Sequence, residues 1–158
     1  MAAILCYAQK FKKEIMLIEK SKEIIQKAII DFKPKAIVMM LSGGDDSTAA
    51  YYLSKSLGVK FDAVIHGNTR TGIQETSQFA KKQAENFKDK FIVADAGNAY
   101  VEYVMRKGFF GQGEDAHGMS YHVLKAGGFR KAVSHNFRKG KHNFPILFIN
   151  GARKFESK

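Results

Sequence analysis

Six consecutive residues, 42–47, combine the residue types that bind phosphate. They read Ser-Gly-Gly-Asp-Asp-Ser and stand between an apolar run, 36–41, and a helical pattern that stops at Gly58. The N–H groups at the start of a helix lack partners within the helix and attract negative charge. Two glycines allow the backbone to approach a phosphate closely, and two serines add hydroxyl donors. The stretch therefore predicts a nucleotide phosphate cradle; the alternative is an ordinary strand-to-helix turn with Ser47 as the N-cap.

Two widespread phosphate-binding motifs do not fit this stretch. A Walker A loop ends in Gly-Lys-Ser or Gly-Lys-Thr, and no such ending occurs here. The Gly-x-Gly-x-x-Gly fingerprint of dinucleotide-binding folds is also absent. The predicted cradle is therefore of another type.

The composition indicates a soluble protein with one domain. The chain has 158 residues, of which 45% are hydrophobic, and this is enough for a real core. No apolar run approaches the roughly 20 residues that span a bilayer, and the N-terminus is a poor signal peptide. We therefore expect a cytoplasmic location and no membrane partner. The single cysteine, Cys6, excludes a disulfide framework, a four-cysteine zinc site and a cysteine-ligated iron–sulfur cluster within one chain.

The formal net charge of +11 predicts attraction to polyanions. The basic residues are spread over many segments and never form a run of five. A nucleic acid is therefore one candidate partner, and a phosphate-rich small substrate explains the charge equally well.

The elements that would position the cradle alternate between strands and helices. Strands are predicted over 36–41, 61–66, 91–94 and 145–149, and helices over 9–32, 48–57, 74–87, 98–107, 119–126 and 129–137. The glycine-rich stretch 109–118 is predicted to be a mobile loop. The alternation predicts a three-layer α/β fold, with a mostly parallel sheet and helices on both faces. Because ligands of such sheets lie beyond the carboxyl ends of the strands, the loops 42–47 and 67–72 should converge on one crevice.

The histidines contribute one candidate for proton transfer. The five histidines are scattered, and none forms a His-x-His or His-x-x-x-His pair. His66 ends the second predicted strand at the expected crevice, so it is the best candidate for a general acid or base. The alternative is a strand-end residue held by hydrogen bonds.

Three segments together resemble one protein family. The first segment, 42–47, is similar to the PP-loop of the adenine nucleotide α-hydrolase-like superfamily. The second segment, 66–76, reads His-Gly-Asn-Thr-Arg-Thr-Gly-Ile-Gln-Glu-Thr and looks like the second motif of its phosphoadenosine phosphosulfate (PAPS) reductase branch. The third segment, 151–157, reads Gly-Ala-Arg-Lys-Phe-Glu-Ser and resembles the late motif of that branch. The resemblance implies a Rossmann-like sheet with an adenine nucleotide across its carboxyl edge.

The resemblance also implies which residues hold the nucleotide. They are Ser42, Gly43, Gly44, Asp45, Asp46, Ser47, Thr71, Gly72, Glu75, Lys125, Gly151 and Arg153. Asp46 would stabilise the loop or hold Mg²⁺, and Asp45 could assist it. Arg153 would bind a phosphate through its guanidinium, while Lys125 is either a second phosphate ligand or part of a solvated helix face. The implied catalytic set is His66, Asp46 and Arg153.

The chain departs from the family pattern in ways that bear on its chemistry. ATP-using members often carry lysine where this chain has Asp45, whose negative charge would weaken phosphate binding unless a cation offsets it. The reductases use a nucleophilic cysteine near the C-terminus, whereas Cys6 lies at the other end. We therefore do not expect thioredoxin-dependent reduction of PAPS. The chain stops soon after the third segment, where relatives continue, so we expect the family's C-terminal region to be absent.

The sequence therefore predicts a single PP-loop domain over 1–158, with residues 1–33 forming a helical segment. The domain would bind ATP or PAPS, with Mg²⁺ as a candidate companion and no iron–sulfur cluster. As an enzyme it would carry out adenylylation or sulfur-transfer chemistry, on an acceptor such as tRNA or DNA. As a non-catalytic module it would hold a nucleotide or nucleic acid within a sulfur-modification or defence complex. The helix over 9–32 would cover a sheet face or meet a partner, either a second copy or another subunit.

Overall fold

The computed structural model describes residues 2–138 and 145–152, and their side chains except for residues 2–14, 114 and 117. Four strands and six α-helices occur within these ranges. They are α1 Ala2–Phe32, β1 Ala36–Met40, α2 Asp45–Ser56, β2 Ala63–Asn68, α3 Gln74–Asn86, β3 Phe91–Asp95, α4 Ala99–Lys107, α5 Glu114–Tyr121, α6 Gly127–Phe137 and β4 Ile146–Ile149. A π-helical turn, His122–Ala126, joins α5 to α6.

The four strands form one parallel sheet in the order β3-β2-β1-β4. Met40 of β1 pairs with Ile65 of β2, and Met39 pairs with Ile149 of β4. The chain runs outward from β1 through β2 to β3 and then returns to the other side of β1 as β4. The direction of winding therefore reverses between β1 and β4, which is where ligands bind in open sheets of this kind.

Helices cover both faces of the sheet and make it the middle of three layers. One core lies between the sheet and helices α2 and α3, and the other lies between the sheet and α6. The first contains Met39, Leu41, Tyr51, Phe61, Val64, Ala80 and Ala84, and the second contains Val38, Ala63, Ile65, Ile92, Ala94 and Val133. Successive residues of a strand point to opposite faces, so a strand covered on both sides is apolar throughout. The predicted three-layer α/β fold is confirmed.

Helix boundaries differ from the sequence-based expectation at several places. Helix α1 begins at Ala2 rather than at residue 9. The stretch 109–118 is not irregular throughout, because α5 begins at Glu114, after Gly113 turns the chain with a φ of 106°. Gly128 does not break the helix either: a Cβ there would lie 3.2 Å from the carbonyl oxygen of Asp95. The small residue allows α6 to pack closely on β3.

No helix in the described part of the chain is both long enough and apolar enough to cross a membrane. The cytoplasmic location stays a prediction.

A buried polar network ties the end of α2 to the segment before β3. Tyr51 is fully buried and its hydroxyl donates a hydrogen bond to the carboxylate of Asp89. Lys55 Nζ lies 3.0 Å from the other oxygen of Asp89, and 5.3 Å from the centre of the Phe87 ring. Burial, followed by the hydrogen bond to Asp89, raises the pKa of Tyr51 far above its ordinary value. The phenol therefore stays protonated in the folded chain.

This network predicts a loss of stability in alkali. Because the pKa of Tyr51 is raised on folding, its contribution is complete below the unfolded pKa of about 10 and is lost as the pH rises above it. We expect the free energy of unfolding to fall by up to about 1.4 kcal/mol per pH unit between about pH 10 and 12 from this group. Urea denaturation over this range should show a shallower decline for Tyr51→Phe. The same slope in both proteins would contradict the linkage.

Candidate nucleotide-binding site

The carboxyl ends of β1, β2 and β4 open into a cleft of about 1180 Å³. Residues from the first and second segments line this cleft, and so does the beginning of the third segment. Of the predicted site residues, the lining includes Ser42, Asp46, Ser47, His66, Gly72, Lys125 and Gly151. The loops after three strands therefore meet at the switch point of the sheet.

Two serines organise the loop that joins β1 to α2. Ser47 Oγ donates a hydrogen bond to the carbonyl of Gly44 at 3.0 Å, so the hydroxyl of Ser42, 2.8 Å away, donates to Ser47 Oγ. Ser42 Oγ in turn accepts the N–H of Gly44 at 3.3 Å. The result is a closed ring of hydrogen bonds that shapes the loop before any ligand binds.

The helix after this loop starts earlier than predicted. Gly44 is the N-cap of α2, so Ser47 lies in the first turn and the alternative interpretation of Ser47 as N-cap is wrong. Gly44 is a glycine, so the N-cap residue itself supplies no side-chain hydrogen bond to this end of the helix. A helix end of this kind suits an anion, because backbone donors and the helix dipole act together.

Two glycines allow the three segments to touch. Gly43 has a φ of 90°, which side chains rarely tolerate, and a Cβ there would lie 2.6 Å from Cγ2 of Thr76. A Cβ on Gly151 would lie 2.6 Å from the backbone nitrogen of Ser47 and 2.5 Å from the carbonyl carbon of Asp46. The first segment is therefore clamped between the second and the third, with no room for side chains at either contact.

His66 is buried and uses both ring nitrogens. Nδ1 lies 2.9 Å from the carbonyl oxygen of Leu41, and Nε2 lies 2.9 Å from Oγ of Ser77. Because a carbonyl oxygen only accepts, the Nδ1–H donates to Leu41, and Nε2 makes the second hydrogen bond, with the Ser77 hydroxyl. This geometry matches the strand-end alternative and braces the residue just before the loop. A role for His66 as acid or base stays a prediction.

The bracing role has a measurable consequence. His66→Ala would leave the Leu41 carbonyl and the Ser77 hydroxyl without their partner and would open a cavity, so we expect a loss of about 3 kcal/mol of unfolding free energy. Ser77→Ala removes one partner only and should cost about 1 kcal/mol. Urea denaturation of both variants measures the difference. Equal stability of His66→Ala and wild type would show that the ring holds nothing in place.

The other predicted residues are not all in the cleft. Lys125 lies in the π-helical turn and lines the cleft with an exposed side chain. Thr71 is next to the lining residue Gly72, and its hydroxyl is 3.0 Å from that of Thr69. Asp45 and Glu75 are exposed and do not contribute to the lining. Arg153, with the rest of 153–158, lies outside the described residues.

An ion pair that the sequence did not predict lies at the rim of the cleft. Arg70 Nε lies 2.8 Å from one carboxylate oxygen of Asp95, and Nη2 lies 2.7 Å from the other. The hydrogen bonds from Arg70 hold the pKa of Asp95 below its usual range and raise the pKa of Arg70 itself. Asp95 is the last residue of β3 and pairs with Asn68, the last residue of β2, and Arg70 follows Asn68 by two positions. The available signal was an acidic residue at the end of one predicted strand and a basic residue just after another.

The described residues contain no group of three His, Cys, Asp or Glu side chains that could hold a metal ion. Asp45 and Asp46 supply two carboxylates at most. Mg²⁺ would therefore need phosphate oxygens of a bound nucleotide as further ligands, as is usual for this ion.

Comparisons with known proteins identify the fold. Neither a family model nor the sequence of a curated protein matches the chain. Among solved structures, the chain resembles an NH₃-dependent NAD synthetase from Campylobacter jejuni in complex with the nitrate ion, with a TM-score of 0.55 and 13% sequence identity. The match covers 77% of this chain and 52% of that chain, so this chain spans about half the length of the synthetase. At this identity the likeness shows a shared Rossmann-type α/β fold.

Proposed function

We propose that this chain is a PP-loop, PAPS reductase-like protein that binds an adenine nucleotide and acts at its phosphate or sulfate end. The observation that carries the proposal is the contact of three sequence segments at one switch point, with Gly43 against Thr76 and Gly151 against Ser47. A fold shared with an NAD synthetase adds support, because NAD is itself an adenine dinucleotide. ATP is the first candidate ligand and PAPS is the second.

The side chains at the cleft fit such a nucleotide. Ser42, Ser47 and the start of α2 form the polar end, where a phosphate could replace the bond between the two hydroxyls. Phe91 and Phe129 contribute aromatic surface to the same lining, which suits a purine base. Lys125 adds a cation that can offset nucleotide charge.

The proposed chemistry relies on positioning. Bound ATP would supply the α–β phosphoanhydride bond, which breaks when an acceptor oxygen attacks the α-phosphorus and pyrophosphate leaves. The loop 42–47 would orient the phosphates, and the cations at the cleft would counter the developing negative charge. An acceptor such as tRNA or DNA would suit the net charge of +11.

A non-catalytic nucleotide-binding subunit is the second candidate. The observation that favours it is the engagement of both nitrogens of His66, which leaves the best sequence candidate for proton transfer occupied. Such a subunit would present the nucleotide to a partner within a larger complex.

Calorimetric titration tests the site. ATP–Mg²⁺, PAPS and adenosine 3′,5′-bisphosphate would be titrated into wild type and Gly44→Glu. Position 44 has a φ of −85°, and a Cβ there would meet only Ser42 Oγ, at 3.7 Å, so a side chain can be accommodated. We expect glutamate to block the cradle by bulk and charge. Asn86→Asp on the exposed end of α3 adds the same charge away from the cleft and serves as the control.

The outcomes separate the proposals. Binding that is lost in Gly44→Glu and kept in Asn86→Asp would support the site, whereas no binding of any of the three nucleotides would contradict it. Release of pyrophosphate from ATP in the presence of a nucleic-acid acceptor would support the enzyme. Binding without turnover would support the non-catalytic subunit.

A further inference from the structure

Helix α6 runs alongside β3, and the helical path before it continues past the end of that strand. Near the C-terminal end of α6, Asn136 accepts a hydrogen bond from Lys90, which precedes β3. At the other end of α6, Gly128 packs against the carbonyl of Asp95, the last residue of β3. The helix is therefore antiparallel to the strand. The π-helical turn leads into α6 with helical dihedral angles and places Tyr121 about 10 Å beyond the level of Asp95.

Three side chains of this helical path line the cleft at intervals of four residues. They are Tyr121, Lys125 and Phe129, and together we call them the outer ridge. In an α-helix, residues at this interval drift around the axis, because one turn holds 3.6 residues. The π-helical turn bonds residue i to i+5 and holds more than four residues, so the drift there has the opposite sign. The two drifts offset each other and keep the three side chains on one line.

The two aromatic ends of the outer ridge have different surroundings. Phe129 is half-buried, and a Cβ on Gly67 of β2 would lie 3.0 Å from its ring, so Phe129 lies on the floor of the cleft. Tyr121 is 47% exposed, and Lys125 between the two rings is exposed. A purine packed against Phe129 would lie about 12 Å from Tyr121 along the helix. The outer end of the ridge is therefore accessible to a second ligand.

The size and charge of the cleft suit a second ligand that is anionic. Pockets for small ligands measure about 300–1,000 Å³, whereas this cleft measures about 1180 Å³. The described residues of its lining include three cations and one acid, which are Arg70, Lys81, Lys125 and Asp46. Ion pairs with acidic side chains occupy the first two cations, whereas Lys125 makes none with a described side chain. Its ammonium group is therefore available to a phosphate.

We propose that the outer ridge binds single-stranded nucleic acid, with an unpaired base stacked on the Tyr121 ring and a neighbouring phosphate bound by Lys125. An aromatic ring beside a cation binds single strands of any sequence, because every base has a flat face and every nucleotide a phosphate. A duplex hides the faces of its bases, so stacking selects an unpaired segment. The inference rests on the proposed function in one respect, since the strand would be the acceptor for the nucleotide beneath it.

Fluorescence anisotropy without ATP tests the stacking contact. The probes are a short labelled strand, as DNA and as RNA, and the DNA duplex of the same sequence. We expect the single strands to bind more tightly than the duplex, and Tyr121→Ala to weaken their binding roughly tenfold to a hundredfold. Tyr121→Phe keeps the ring and should bind as wild type does. The matched control is Phe79→Ala, which removes a 41% exposed ring on α3 outside the cleft lining.

The salt dependence of the same binding tests the phosphate contact. Removing one phosphate contact to a single strand should reduce the slope of log K against log salt by about 0.7. We expect this change in Lys125→Gln. Lys82→Gln removes the same charge from an exposed position on α3 that does not line the cleft, so its slope should equal that of wild type.

The outcomes separate this proposal from the proposed function. Unchanged binding in Tyr121→Ala would overturn the proposal, and so would a duplex or polyglutamate that binds as tightly as the single strand. Nucleotide binding in the calorimetric titration, with no binding of either strand, would overturn this proposal alone. Strand binding that needs the Tyr121 ring, in a chain that binds no nucleotide, would support this proposal and contradict the proposed function.

Discussion

Gly151→Ala should weaken nucleotide binding by roughly tenfold to a hundredfold, because the substitution is expected to cost about 1–3 kcal/mol of local strain. The new Cβ would lie 2.5 Å from the carbonyl carbon of Asp46 and 2.6 Å from the backbone nitrogen of Ser47. Both atoms belong to the backbone of the first turn of α2, so neither can rotate aside as the tip of a flexible side chain would. The third segment must therefore move away from the loop that it now touches.

Calorimetric titration with ATP–Mg²⁺ measures this effect, and Gly118→Ala is the matched control. Gly118 lies within α5, and a Cβ there would meet nothing within 4 Å. Alanine is favoured over glycine by about 1 kcal/mol inside a helix, so the control should bind nucleotide normally and be slightly more stable. Unchanged affinity in Gly151→Ala would show that the third segment is not part of the site.

The fold was predictable because its strands are buried on both faces. The run 36–41 is apolar at every position, since its residues alternate between two cores. Strands of this kind, alternating with helical patterns, leave few arrangements other than a parallel sheet between helices. The position of 42–47 at the carboxyl end of the first strand followed from the same reasoning.

The contacts within the site were not predictable because their partners are distant in sequence. The hydrogen bond between His66 and the carbonyl of Leu41 joins residues 25 positions apart, and no side-chain pattern marks a backbone acceptor. Gly151 reads as a turn residue in the sequence, whereas its contact with Ser47 depends on how β4 lies beside β1. Such close approaches follow from packing, which residue types alone do not reveal.

Residues 114–137 are helical where the sequence predicted a loop over 109–118 and a break between the helices 119–126 and 129–137. The glycines in this region led to that prediction, because glycine disfavours helices by about 1 kcal/mol relative to alanine. The structure keeps the chain helical through Gly118 and Gly128. At Gly128 the packing of α6 against the end of β3 explains the glycine, since a side chain would collide with the backbone. A tertiary contact here outweighs local preference.

Asp89→Ala should cause the largest loss of stability of any substitution considered for this chain. The carboxylate is the partner of both the Tyr51 hydroxyl and the Lys55 ammonium. The side chains of Lys55 and Asp89 are only 17% and 9% exposed. Removing the carboxylate leaves a largely buried cation and a buried hydroxyl unpaired, which costs about 3–5 kcal/mol. This is a large fraction of the stability of an ordinary domain.

Urea denaturation at neutral pH measures the loss, and Glu85→Ala provides the comparison. Glu85 pairs with Lys81 at 3.8 Å on the surface of α3, where both side chains are more than 60% exposed, so its removal should change the free energy of unfolding by less than about 1 kcal/mol. The network lies at the C-terminal end of α2, whereas the phosphate cradle lies at the other end. Folded Asp89→Ala, kept at low temperature, should therefore bind nucleotide as wild type does. A stability loss no greater than that of Glu85→Ala would contradict the structural role of the network, and weak binding by the folded variant would show that the two ends of α2 are coupled.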